Sequence, residues 1–149
     1  MKTILVVEDE YGTSEALAHF LEGEGFGVVL AVNGREGLRK AAERRPDLIV
    51  SDFMMPVMNG AEMCARIRAT PGFDDIPIVM NSSAEEHVVR AVFADYDVFL
   101  RKPYEAAALL PKVIGLVAEG RAVRRTGGDG PGADPAAPPS RPPIEGGGA

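Results

Sequence analysis

Five short runs constrain the fold more than any other feature of the chain: "TILVV" (3–7), "FGVVLA" (26–31), "DLIVSD" (47–52), "IPIVMN" (76–81) and "DVFL" (97–100). They are apolar almost throughout and rich in β-branched residues. A strand with one wet face alternates apolar and polar residues, whereas a strand covered on both faces is a continuous apolar run. Between the runs lie segments with apolar residues at helical spacing. "SEALAHFLEGEG" places Ala16, Leu17, Phe20 and Leu21 on one face and ends at Gly23 and Gly25. A helix over 34–44 is capped by Asn33 and turns Leu38 and Ala41 inward. "AEMCARIRA" (61–69) buries Met63, Cys64 and Ile67. A fourth helix over 84–94 buries Val88, Ala91 and Val92, and a fifth over 104–120 is kinked by Pro111. Five strands alternating with five helices predict an α/β fold with a parallel sheet and helices on both faces. Such sheets gather their functional groups at the carboxyl ends of the strands.

What stands at those ends is polar. The first strand ends in Glu8, Asp9 and Glu10, the third in Asp52, and the fourth in Asn81, Ser82 and Ser83; Lys102 and Pro103 follow the fifth. In a parallel sheet all of them share one rim. Carboxylates without histidine or cysteine favour a hard, oxygen-seeking ion such as Mg2+. One carboxylate can attack phosphorus and form an acyl phosphate, while an ammonium and a hydroxyl steady the phosphoryl oxygens. His19 and His87 fall outside this rim. Met54 and Met55 are expected to pack the loop, since a thioether is a poor ligand for a hard cation.

Composition narrows the class. With 149 residues, 46% of them apolar, the chain suffices for one domain with a real core. The net charge is −6, and residues 1–120 carry 12 basic against 19 acidic side chains. That balance excludes nonspecific binding to nucleic acid. A single cysteine, Cys64, excludes an intramolecular disulfide and a cysteine-rich metal site. The N-terminal apolar run is too short for a signal peptide or a membrane span, so the cytoplasm is the expected location. The expected division is a folded domain over 1–120 and a disordered Gly/Pro/Ala-rich tail over 121–149, in which "PPSRPP" is a weak polyproline ligand candidate.

Four segments in order, "ILVVEDE", "PDLIVSDFMMPVMNG", "PIVMNSSAE" and "FLRKPY", resemble the receiver domain of bacterial two-component response regulators, over nearly all of residues 2–118. The resemblance is to a stand-alone, chemotaxis-regulator-like receiver. It implies a flavodoxin-like three-layer sandwich with strand order 2-1-3-4-5. It implies a phosphoryl-accepting switch, not an enzyme, with Mg2+-dependent self-phosphorylation from small donors and self-dephosphorylation. Asp52 is then the phosphoacceptor. Glu8, Asp9, Asp52 and the backbone carbonyl of Met54 hold Mg2+, Lys102 pairs with Asp52 and then with the phosphoryl group, and Ser82 and Phe99 are the switch residues. Pro103 is cis, Pro56 shapes the loop after Asp52, and Gly60 leads into the third helix. The implied partners are a sensor histidine kinase or histidine phosphotransfer protein, and a downstream protein reading the face of helix 4, strand 5 and helix 5. A second copy of the chain is a further candidate; nucleic acid and membrane are not.

Several positions depart from the family pattern. Glu8 replaces a more frequent Asp, Asn81 and Ser83 stand where Leu and Ala are common, and Asp95 and Tyr96 replace Gly-Ala before the fifth strand. Phe99 lacks the hydroxyl of the usual tyrosine. Met54 and Ala84, which flank the family's path for hydrolytic water, cannot orient a water molecule. A phosphatase with an Asp nucleophile usually has a second acid two residues on, where this chain has Met54. A degenerate receiver that only binds or dimerises is the other alternative, against which the full set of acids, Ser82 and Lys102 argues.

Overall fold

A computed structural model describes residues 1–121, and the predicted tail and its "PPSRPP" segment lie, apart from Arg121, outside the described residues. The elements alternate as expected: β1 (Thr3–Val7), α1 (Tyr11–Gly23), β2 (Gly27–Ala31), α2 (Gly34–Glu43), β3 (Leu48–Asp52), α3 (Gly60–Ala69), β4 (Ile78–Ser82), α4 (Glu86–Arg90), β5 (Val98–Arg101) and α5 (Ala106–Glu119). All strand pairings are parallel and the order is β2-β1-β3-β4-β5.

The period of two along each strand explains the layers. In β1, Ile4 and Val6 join one apolar cluster with Leu17, Leu21, Leu109 and Val113 of α1 and α5. Leu5 and Val7 join the other, with Met63, Cys64 and Ile67 of α3 and Val89 of α4. The three inner strands, β1, β3 and β4, are buried at every position, which is why they read as continuous apolar runs. The edge strands β2 and β5 are mostly half-buried.

The helices depart from expectation in detail. α1 begins three residues before Ser14, because the Glu10 side chain caps it by accepting the Thr13 amide proton at 2.7 Å. Its buried face is Ser14, Leu17, Ala18 and Leu21; Ala16 is exposed and Phe20 half-buried. α4 is one and a half turns long, not a helix over 84–94, and its inward face is misplaced by one residue. Val89 is fully buried, whereas Val88 and Val92 are 45% and 64% exposed and Ala91 also faces out. Val89 and Phe93, one turn apart, meet the core instead. Pro111 lies inside α5, which continues through it.

Candidate functional site

The acid rim forms where parallel register predicts it. Asp52 ends β3 opposite Asn81 of β4, and Ser82 ends β4 opposite Arg101 of β5. Glu8 follows β1 directly, its amide donating to Ala31 of β2 at 3.0 Å. Glu8 and Asp52 are buried, at 5% and 6% exposure, and Asp9 is open to solvent. One carboxylate oxygen from each of Glu8, Asp9 and Asp52 can be chosen so that all three lie within 4.8 Å of one another. Glu10 is drawn away from this set by its role as the α1 cap.

Lys102 ties the cluster together. Its Nζ donates to Glu8 Oε1 and to Asp52 Oδ2, both at 3.0 Å, and its own amide donates to the Ser82 carbonyl at 2.8 Å. Burial pushes the Glu8 carboxyl above its usual range; the Lys102 hydrogen bond opposes this and the Asp52 charge adds to it. Burial works against the Lys102 ammonium, but its bonds to Glu8 and Asp52 outweigh that and hold it above its ordinary value. Three carboxylates against one ammonium leave the cleft short of positive charge. Its donors are all oxygens, the set that suits Mg2+.

The loop from Asp52 to α3 is tightly built. The Ser51 hydroxyl donates to the Asp52 carbonyl at 2.9 Å, and the Gly60 amide donates to the Phe53 carbonyl at 2.9 Å. A Cβ on Gly60 would stand 2.1 Å from the Asp52 carbonyl oxygen, so only glycine lets α3 start this close to β3. Asn59 caps α3 by accepting the Glu62 amide at 2.8 Å. Pro56 accepts the Met58 amide at 2.7 Å across Val57, whose φ is +69°: a three-residue γ-turn with a β-branched residue at its centre. Met55 packs against the core, but Met54 is 67% exposed and does not pack the loop as expected.

The remaining predicted residues fall into two places. The buried Ser82 hydroxyl accepts the Ala84 amide at 3.0 Å. Asn81 is buried, its Oδ1 without a hydrogen-bond partner among the described residues. Phe99 is half-buried against the α3–α4 side of the core, and the Lys102–Pro103 peptide is cis. His19 and His87 are exposed, away from the rim. A groove of about 450 Å3, lined in part by Thr13, Lys102, Pro103 and Tyr104, adjoins the cluster. Burial pushes the Tyr104 hydroxyl up to about 12. The sequence reading placed Tyr104 at the end of "FLRKPY" and the start of a helix without giving it a role; its place right after Lys-Pro was the signal that it borders the site.

A parallel sheet of order β2-β1-β3-β4-β5 with an acid–lysine cleft at its carboxyl edge places the chain among the doubly wound α/β proteins whose site lies at the strand ends. The family of response regulator receiver domains matches over residues 4–114, and the chain belongs to that family of phosphorylation-based switches of two-component systems. It is 38% identical over 117 residues to the response regulator MprA of Mycolicibacterium vanbaalenii, covering 76% of this chain and 49% of that one. It is 37% identical over 112 residues to the phosphate regulon transcriptional regulatory protein PhoB of Rhizobium meliloti, covering 74% and 49%. The chain thus spans about half the length of these relatives. Among solved structures, the receiver domain of a signal transduction histidine kinase from Syntrophus aciditrophicus superposes with a TM-score of 0.73 at 35% identity, covering 79% and 91%. The response regulator TrrA of Thermotoga maritima, solved in complex with Mg(2+)-BeF, gives 0.71 at 31% identity, covering 78% and 99%.

Proposed function

We propose that Asp52 accepts a phosphoryl group from a histidine kinase or histidine phosphotransfer protein. A carboxylate oxygen of Asp52 attacks phosphorus as the P–N bond of the donor phosphohistidine breaks; the electron pair returns to the imidazole, which takes up a proton. Glu8, Asp9, Asp52 and the Met54 carbonyl would hold Mg2+, which supplies charge neutralisation for the phosphoryl oxygens. Lys102 already sits on Asp52 and is placed to follow the negative charge onto the phosphoryl group. The Ser82 hydroxyl then turns to the phosphoryl oxygen and Phe99 moves inward after it, changing the face of α4, β5 and α5 that a downstream protein or a second copy reads.

The observation that carries this reading is the Lys102 ammonium 3.0 Å from both Glu8 and Asp52, with Asp9 completing the acid set. Acetyl phosphate with Mg2+ provides the test. Wild type should gain an adduct of about 80 Da by intact mass as the donor's P–O bond breaks and acetate leaves. Asp52→Asn should gain none; equal labelling of the variant would move the acceptor elsewhere. No helix of the described residues is long and apolar enough to cross a membrane. A kinase acting on this site would meet it on a cleft that is open to solvent at Asp9.

A further inference from the structure

Tyr96 stands at the foot of β5, three residues before Phe99, where the family pattern has a small residue. It is 9% exposed and belongs to the core cluster on the α3–α4 side. Its hydroxyl donates to Glu86 Oε2 of α4 at 2.6 Å. Arg90, one turn along α4, donates to the same oxygen at 2.7 Å, and its guanidinium lies 5.3 Å from the centre of the Tyr96 ring. The other side of the contact is Phe99, whose ring centre is 6.1 Å from that of Tyr96, at an interplanar angle of 45°. That is ordinary geometry for a tilted aromatic pair.

These contacts matter because little else holds α4. The helix is five residues long, Val89 is its only buried side chain, and its N-cap Glu85 makes no side-chain capping bond. A short helix gains its stability from tertiary packing, not from its own backbone. The Tyr96–Glu86–Arg90 group is therefore a large share of its anchorage. We propose that Tyr96 is a positioning residue for the switch: it holds α4 through Glu86 and Phe99 through its ring, and so favours the unphosphorylated arrangement. This rests on the reading of Phe99 as a switch residue given above.

The direction follows from strand polarity. Tyr96 lies before β5, and Asp52 and Ser82 lie at the carboxyl ends of β3 and β4. A Phe99 ring that moves toward Ser82 moves along β5 away from Tyr96 and gives up that contact. A contact made in only one of two states biases the equilibrium toward that state by its own free energy. Removing the hydroxyl alone should free α4 while leaving the ring in the core.

The test pairs two measurements on wild type, Tyr96→Phe and Glu86→Gln. In the absence of any ligand, hydrogen exchange at the amides of residues 86–93 should quicken in both variants and stay unchanged in α1, α2 and α3. In calorimetric titration with beryllofluoride and Mg2+, a phosphoryl mimic, both variants should bind about five-fold more tightly than wild type. The double variant should gain no more than either single one. A residue that merely supports the fold would leave that affinity unchanged or weaken it. Unchanged exchange in α4, or unchanged beryllofluoride affinity in a wild type that binds it well, overturns the role of Tyr96. A wild type that binds no beryllofluoride overturns the Asp52 reading instead, and the switch role of Tyr96 falls with it.

Discussion

At the scale of single residues, chemistry and packing make different demands on neighbours in the chain. Asp52 is buried against Lys102, while Met54, two residues on, is 67% exposed and offers no group that can orient water. Ala84, two residues past Ser82, is half-buried and equally inert. The acyl phosphate proposed for Asp52 should accordingly be long-lived. Changing Met54→Asn together with Ala84→Glu should speed its loss about 10-fold, if roughly 1.4 kcal/mol of transition-state positioning is restored. Decay of labelled protein after removal of the donor, at constant Mg2+, reads this; an unchanged or slower decay in the double variant shows that neither side chain limits the water. Cys64 illustrates the opposite case. Burial pushes its thiol up to about 12, so at pH 8 the group is a neutral thiol inside the core. As the only cysteine in the chain, it should resist alkylation at that pH and label rapidly once denaturant unfolds the protein. Fast labelling of native protein would contradict the buried position.

At the scale of elements, legibility follows burial. The inner strands β1, β3 and β4 were readable because both faces are covered, and the acids that end them were readable as charges interrupting apolar runs. α4 was not. "VV" at 88–89 offers two adjacent apolar residues, and sequence spacing alone cannot say which one faces the sheet; Tyr96, reaching across from the start of β5, settles it in favour of Val89. The early start of α1 was hidden because Glu10 reads as a member of the acid rim until its side chain is seen capping the helix. The loop after β3 was legible as a Pro-Gly-bounded turn but not in its conformation, since nothing about Val57 announces a φ of +69°. A β-branched residue held there costs of order 1–3 kcal/mol. Val57→Gly should therefore stabilise the fold by about 1 kcal/mol, raising the melting temperature by roughly 4 °C. A lower melting temperature would mean that the exposed valine makes contacts worth more than the relief.

At the scale of the whole molecule, the end of the sheet opposite the acid cleft is held by a second charged cluster that the sequence did not disclose. Arg121 is 5% exposed, although the predicted tail begins with it. It pairs with Asp95, bonds Asp97 at 3.0 Å and donates to the Asp74 carbonyl at 2.9 Å. Arg68 reaches the same two carboxylates at 3.4 Å. Arg68, the Asp95–Asp97 pair and Arg121 are far apart in the chain and belong to no periodic pattern, so only the fold assembles them. Asp97 is 1% exposed at its side chain. Arg121→Met should cost about 3 kcal/mol by leaving that buried charge half-compensated, whereas Arg39→Ala, which breaks only exposed pairs with Glu36 and Glu43, should cost about 0.5 kcal/mol or less. Denaturant titration compares the two; equal losses would mean that the buried cluster contributes no more than a surface pair. Arg121, the last described residue, sits by the amino ends of β4 and β5, roughly 15 Å, one strand length, from the edge that carries Asp52. A support or label attached at the Arg121 end of the sheet would therefore stand a strand length away from the acid cleft and leave it open to a partner in solution.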